Sequence, residues 1–280
     1  MIIKRIINAI IRRIIEYCPK KIVKVPIYIP QFQSDLLKEK KALITGGTSG
    51  IGLAMAKAFI RSGAKVAITG RSKEKIDDAL SLLDCNAFGL LIDNTKVDTF
   101  KNGIDECVEV LGMPDILVNN AGQIYCTTFG NTDLDNYNSI MNANLRGAYF
   151  LSQEVANRWI ANGIKGHILN VGSSSSLRPG NSPYVLSKWG IRSMTIGVAK
   201  ELIKHGIVVN GIAPGPTSTK MFVKGEENGI NWDKNPSGRL VTEEEIANLA
   251  VVLVSDLGRM VVGDMLFVSG GAGVITVDDL

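Results

Sequence analysis

The chain has two histidines, His167 and His205, and four cysteines, Cys18, Cys85, Cys107 and Cys126, in 280 residues. The cysteines show neither CxxC spacing nor clustering. That excludes a disulfide framework and a His/Cys zinc site, leaves no metal to assign, and fits a reducing cytoplasm. Both histidines lie in polar, turn-like contexts, which argues against a histidine general base. Single-sign charge is also scarce: the net charge is +4, and residues 1–25 hold seven basic residues against Glu16 alone, or +6. The remaining 24 basic and 26 acidic residues leave the body at −2. A near-neutral body gives nucleic-acid binding no electrostatic support.

What is present at the start is a basic, isoleucine-rich appendage, "MIIKRIINAIIRRIIEY". On a helix the isoleucine pairs form one apolar stripe, with Lys4, Arg5, Asn8, Arg12, Arg13 and Glu16 opposite. Charges interrupt it every few residues, so it is neither a transmembrane span nor a signal-peptide core. The stripe suits either an anionic membrane surface for residues 1–17 or packing on the protein's own body or a sister subunit. Residues 18–40, with three prolines, read as an extended connector.

From Lys41 the chain alternates short apolar runs with helical stretches. The runs are 41–45, 65–69, 87–92, 115–119, 167–171, 207–212 and 264–268; each suits a strand buried on both faces. Helical patterns cover 50–62, 95–111, 144–162, 183–205 and 243–255. This rhythm predicts an α/β fold: one doubly wound, Rossmann-like parallel sheet of about seven strands over 41–273, with a short tail at 274–280. Such sheets bind ligands beyond the carboxyl ends of their strands. The turn after the first strand is Thr45-Gly46-Gly47-Thr48-Ser49-Gly50-Ile51-Gly52. Its glycines let backbone amides approach a phosphate at a helix N-terminus, which points to cofactor binding.

Further along, Tyr184 and Lys188 stand one helical turn apart in "SPYVLSKWG". A phenol ionising near neutral pH needs its pKa lowered by about 3 units, or about 4 kcal/mol, and a lysine ammonium one turn away favours the anion. With "TGGTSGIG", "NNAG", "NANLRG", "ILNVGSSSS" and "PGPTST" in the same order, the sequence resembles the short-chain dehydrogenases/reductases from about Lys41 to Gly271.

The resemblance implies an NADP(H)- or NAD(H)-dependent oxidoreductase acting on a ketone or secondary alcohol. It makes Tyr184 the proton donor or acceptor and has Lys188 tune it while holding the nicotinamide ribose. Ser173 would steady the substrate oxygen, with Ser174 and Ser175 as alternatives in the serine run, and Asn144 would serve a proton relay. Thr45, Gly46, Thr48, Ser49, Gly50, Ile51 and Gly52 would hold the pyrophosphate. Asp93 and Asn94 would meet the adenine, and Asn119, Ala121 and Gly122 its ribose. Pro214, Gly215, Thr217 and Thr219 would cover the nicotinamide side. No acid stands at Gly70, after the second strand, whereas Arg71 can pair with a 2′-phosphate, so NADP(H) is expected over NAD(H). Residues 216–240 are the family's substrate lid, in which Met221, Phe222 and Trp232 would cover the substrate. Ser269 replaces an aspartate common in the family. Homodimers or homotetramers through 144–162 and 183–205 are implied. Acyl thioesters and sugars or polyols are not separated as substrates; Arg158, Arg178 and Arg192 are scattered candidates for acyl-carrier docking. The alternative is a non-catalytic nucleotide-binding scaffold carried to a membrane by its first helix.

Overall fold

Seven short apolar segments form a single parallel sheet. They are β1 (Lys41–Ile44), β2 (Lys65–Gly70), β3 (Ala87–Leu91), β4 (Ile116–Asn119), β5 (His167–Val171), β6 (Val208–Pro214) and β7 (Met265–Val268), ordered β3-β2-β1-β4-β5-β6-β7. The computed structural model describes residues 35–125, 127–219 and 230–276. The isoleucine-rich segment, most of the connector, Cys126, Met221, Phe222 and the last four residues lie outside the described residues. The order reverses between β1 and β4, where Ala42, Leu43 and Ile44 pair with Ile116, Leu117 and Val118. The carboxyl ends of the strands at that reversal are the place where such sheets take ligands.

The crossovers are α1 (Gly50–Arg61), α2 (Lys73–Leu80), α3 (Phe100–Leu111), α4 (Leu134–Met141), α5 (Gly147–Asn162), α6 (Pro183–Leu202) and α7 (Glu243–Val254). Strand alternation divides their packing. Ala42, Ile44, Val66 and Ile68 face Met55 and Phe59 of α1 and Ile246 and Val251 of α7. Leu43, Ala67 and Leu117 face Phe100 and Ile104 of α3, and Leu151, Val155 and Trp159 of α5. Trp159 is fully buried, and its indole Nε1 donates to Pro114 O at 2.6 Å, so its one polar atom is satisfied. No helix among the described residues is long and apolar enough to cross a membrane.

Several sequence expectations are corrected here. The edge strands are not covered on both sides: Leu91 of β3 is 63% exposed, because an edge strand lacks the second layer. His167 is not in a turn; it opens β5 and is buried. Leu37, within the stretch read as connector, is fully buried, and its amide donates to Ser62 O at 2.8 Å. The body therefore begins before Lys41. Helix α4 carries no helical pattern in the sequence reading, yet Asp133 caps it by accepting from Asn136 N.

Candidate active site

The turn from β1 into α1 is shaped by its own side chains and those following β4. Thr45 Oγ1 donates to Val118 O at 3.2 Å and accepts from Asn120 N and Ala121 N, both at 3.0 Å. Asn120 Nδ2 donates to Thr45 O at 2.9 Å and Gly46 O at 3.0 Å. Gly46 has a left-handed φ of +63°, and a Cβ there would lie 2.9 Å from Ala121 Cα. Ser49 precedes α1 in extended conformation without capping it, and the first turn holds no acid. The N-termini of α2, α4, α6 and α7 are each closed by a side chain. The leading amides of α1, beside exposed Ser49, thus suit an anionic phosphate.

At the end of β2, a Cβ on Gly70 would meet Thr48 Cγ2 at 2.8 Å and Ile76 Cγ1 at 3.1 Å. A side chain there would have to displace Thr48 and Ile76, and exposed Arg71 is the next group along. Asp93 Oδ1 accepts from Thr95 N at 2.9 Å and Thr95 Oγ1 at 2.8 Å, which shapes the turn after β3. Asn94 is buried, and its Nδ2 donates to Ala143 O at 2.7 Å. Asn119 points its side chain into the molecule, donating at 2.8 Å to both Ser152 Oγ and Asn170 Oδ1. Thr217 Oγ1 donates to Gly215 O at 2.8 Å, a Cβ on Gly215 would meet Ser269 Cα at 2.7 Å, and Thr219 N donates to Thr217 O at 2.8 Å. Pro214, Gly215 and Thr217 therefore form a tight turn at the carboxyl end of β6.

The proton-handling groups come from three elements. Ser182 caps α6 by accepting from Val185 N, with Pro183 at its first position. Tyr184 lies on the first turn and Lys188 on the second, its Nζ 5.8 Å from the phenol ring centre and donating to Val171 O at 2.9 Å. Burial pushes the Lys188 ammonium down to about 8. Burial also raises the Tyr184 phenol, while the Ser173 side chain that reaches it and the charge of Arg178 act in the opposite direction. The sequence reading has Lys188 lowering the phenol; in the chain by itself desolvation is the larger influence. Within the serine run, Ser173 Oγ accepts from Ser175 N at 3.1 Å, Ser175 Oγ accepts from Arg178 Nη2 at 2.9 Å, and Ser176 Oγ donates to Ser173 O at 2.7 Å.

Asn144 sits in a π-turn, Asn142–Arg146, that joins α4 to α5. Its Oδ1 accepts from Gln123 N at 2.8 Å, and its Nδ2 donates to Gln123 O at 3.0 Å and Ser187 Oγ at 3.1 Å. A Cβ on Gly122 would lie 3.3 Å from that Oδ1. A continuous path of contacts thus runs from the glycine turn through Asn120, Ala121, Gly122 and Asn144 to Ser187 on α6. Asn120, Gln123 and Ser187 are missing from the sequence reading. The one available signal was that Asn119 and Asn120 are neighbours on a strand end and must face opposite ways.

Residues 40–229 match the family model described as short chain dehydrogenase. The chain belongs to that family. Its relatives include gluconate 5-dehydrogenase of Gluconobacter oxydans, 34% identical over 85% of this chain and 96% of that one. The 3alpha-hydroxysteroid dehydrogenase of Mediterraneibacter gnavus is 36% identical over 85% of this chain and 98% of its own. Among solved structures, 3-ketoacyl-(acyl-carrier-protein) reductase from Brucella melitensis, complexed with NADH, aligns with a TM-score of 0.78. It is 30% identical, with 85% of this chain and all of that one covered. This short-chain dehydrogenase is an oxidoreductase of a nicotinamide-dependent family whose members act on small molecules and commonly assemble as oligomers. Nothing in these relatives supports the non-catalytic scaffold.

Proposed function

We propose that the protein is an NADP(H)-dependent oxidoreductase that interconverts a ketone and a secondary alcohol. The observation that carries this reading is the meeting of Tyr184, Lys188 and Ser173 at the carboxyl end of β5, joined through Asn144 to the glycine turn. When bound, the nicotinamide supplies or accepts the hydride at its C4. The first-turn amides of α1, with Thr48, Ser49, Gly50 and Ile51, would hold the pyrophosphate, and Gly46 and Gly52 give the close approach. Asp93 and Asn94 would border the adenine, Ala121 and Gly122 its ribose, and Pro214, Gly215, Thr217 and Thr219 the nicotinamide side. Because Asn119 turns inward, its contribution there is to hold the end of β4. The absence of an acid at Gly70 and the cation of Arg71 beside it favour a 2′-phosphate.

Tyr184 gives its proton to the substrate oxygen on reduction and takes it back on oxidation. Ser173 donates to the same oxygen as negative charge develops. Lys188, held by Val171 O, brings positive charge near the phenol at neutral pH, below its own titration at about 8. Asn144, its side chain engaged by Gln123 and Ser187, would serve the relay through its main chain.

The substrate is a small ketone or alcohol, for which gluconate, a 3α-hydroxysteroid and a 3-oxoacyl thioester are the first probes. Against a basic acyl-carrier docking patch, Arg158 is paired with Asp105 at 2.6 Å and Glu154 at 2.8 Å. The test is cofactor turnover across that panel, with NADP+ and NAD+ for the two alcohols and NADPH and NADH for the oxoacyl thioester. Tyr184→Phe is expected to lose about 10²- to 10⁴-fold in kcat while still binding cofactor. Equal rates for wild type and Tyr184→Phe would overturn the assignment, and preference for NADH would overturn the cofactor choice.

A further inference from the structure

The turn between β5 and α6 carries the serine that reaches the phenol, and two arginines brace it. Arg178 Nη2 donates to Ser175 Oγ at 2.9 Å, and Ser175 N in turn donates to Ser173 Oγ at 3.1 Å. The Arg178 backbone is held as well, because Trp189 Nε1 on α6 donates to its carbonyl at 2.7 Å. Arg192 Nη1 donates to Ser176 O at 3.2 Å, and its guanidinium stacks 5.5 Å from the Trp189 ring and 5.6 Å from the Phe267 ring. Of the two, Arg178 is the one whose charge is felt at the Tyr184 phenol.

We propose that Arg178 is a positioning residue of this site: its guanidinium, bonded to Ser175 Oγ, and its carbonyl, held by Trp189, fix the serine turn so that Ser173 meets Tyr184. The proposal rests on Tyr184 being the proton-transfer group. Its physical basis is the run of hydrogen bonds from Arg178 through Ser175 to Ser173, to which the difference between two cations adds. Lys188 is buried, with its pKa drawn down to about 8, so it loses its charge through the alkaline range in which a tyrosine ionises. A guanidinium does not titrate there. Of the other elements packed on α6, the turn Ile203–His205 follows its far end, with Lys204 and His205 exposed, and the rest bring no competing charge to the phenol. Strand β6 has no ionisable side chain, His167 stands at the far end of β5, and Asp135 of α4 is exposed. Arg146 of the π-turn is exposed and bonds Asn142 at 3.0 Å.

The experiment is an ultraviolet difference titration of tyrosinate, with Tyr184→Phe subtracted to isolate one phenol among six tyrosines. Arg178→Gln is expected to raise the pH at which Tyr184 ionises by on the order of one unit. Arg178→Lys keeps a charge and should restore most of that shift, and it serves if the Gln variant folds poorly. In the serine turn Arg192 holds the Ser176 carbonyl, so Arg192→Gln leaves the Arg178–Ser175–Ser173 bonds in place, and its titration should match wild type. The rising limb of alcohol oxidation with pH should move upward in Arg178→Gln by the same amount. A wild-type titration in Arg178→Gln, or equal shifts in the Arg178 and Arg192 variants, would overturn the proposal. Failure of wild type to oxidise or reduce any probe would instead sink the enzymatic reading, and the titration would still decide the role of Arg178.

Discussion

Burial at single residues decides more of this protein's pH behaviour than pairing does. Tyr184 and Lys188 are legible from their spacing once the flanking motifs are counted, and the structure puts them on one face of α6. Their acidities are not legible in that way, because desolvation depends on the surrounding layers and the sequence gives only the neighbours along a helix. His167 makes the same point in the opposite sense. A residue beginning "HILNV" reads as polar and marginal, yet it is enclosed, and burial first, then Arg259 and Lys40, draw its pKa down to about 4. The unfolded chain takes up a proton near 6.5, whereas the folded one resists until about 4. Stability from this group is therefore complete above 6.5 and is lost as pH falls through that window, at about 1.4 kcal/mol per unit and about 3 kcal/mol in all. Urea unfolding on both sides of the window should show the loss, and His167→Gln should flatten it. An equally steep decline in the variant would assign acid sensitivity to other groups.

Elements were read best where pattern and packing agree. Among the described residues, all seven strands and five of the seven helices follow from apolar runs and their spacing, because the central strands of a parallel sheet are covered on both faces and must be apolar throughout. The two helices that escaped, α2 and α4, are short and largely exposed, with too few buried positions to print a period. The π-turn escaped for another reason: one extra residue in a helix leaves no mark in hydropathy. The glycine turn was readable as a phosphate cradle, but its locking residue, Asn120, was not. Gly52 tests that lock. A Cβ there would strike the Asn120 amide and lie 2.5 Å from Gly46 O, whereas one on Gly197 in α6 meets nothing within 4 Å. Gly52→Ala is expected to cost about 1–3 kcal/mol and to weaken cofactor binding. Gly197→Ala should gain about 0.5–1 kcal/mol through helix propensity. Thermal melts with and without NADPH separate the two effects, and an unchanged cofactor affinity in Gly52→Ala would show that the turn is not the cradle.

At the scale of the whole molecule, α6 has two faces with different work. Ser187, Lys188, Ile191 and Thr195 are buried against the body, on the side that carries the site. Leu186, Trp189 and Ile196 lie along the other side, 44%, 40% and 55% exposed, and Tyr149 and Phe150 of α5 are similarly bare. Apolar side chains aligned on one helix at this density suit a partner surface better than open water. A second copy of the chain is the occupant expected from the family's habit of assembling. Such a contact would press on the back of the helix that holds Tyr184 and Lys188, so assembly and catalysis would share one element. Ile196→Glu places a charge in the middle of that stripe without touching the buried face. It should shift sedimentation toward the monomer and lower kcat with little change in KM, since the substrate pocket keeps its walls. If Ile196→Glu sediments like wild type, the contact lies elsewhere. If it becomes monomeric with full kcat, α6 holds its geometry without help from a neighbour.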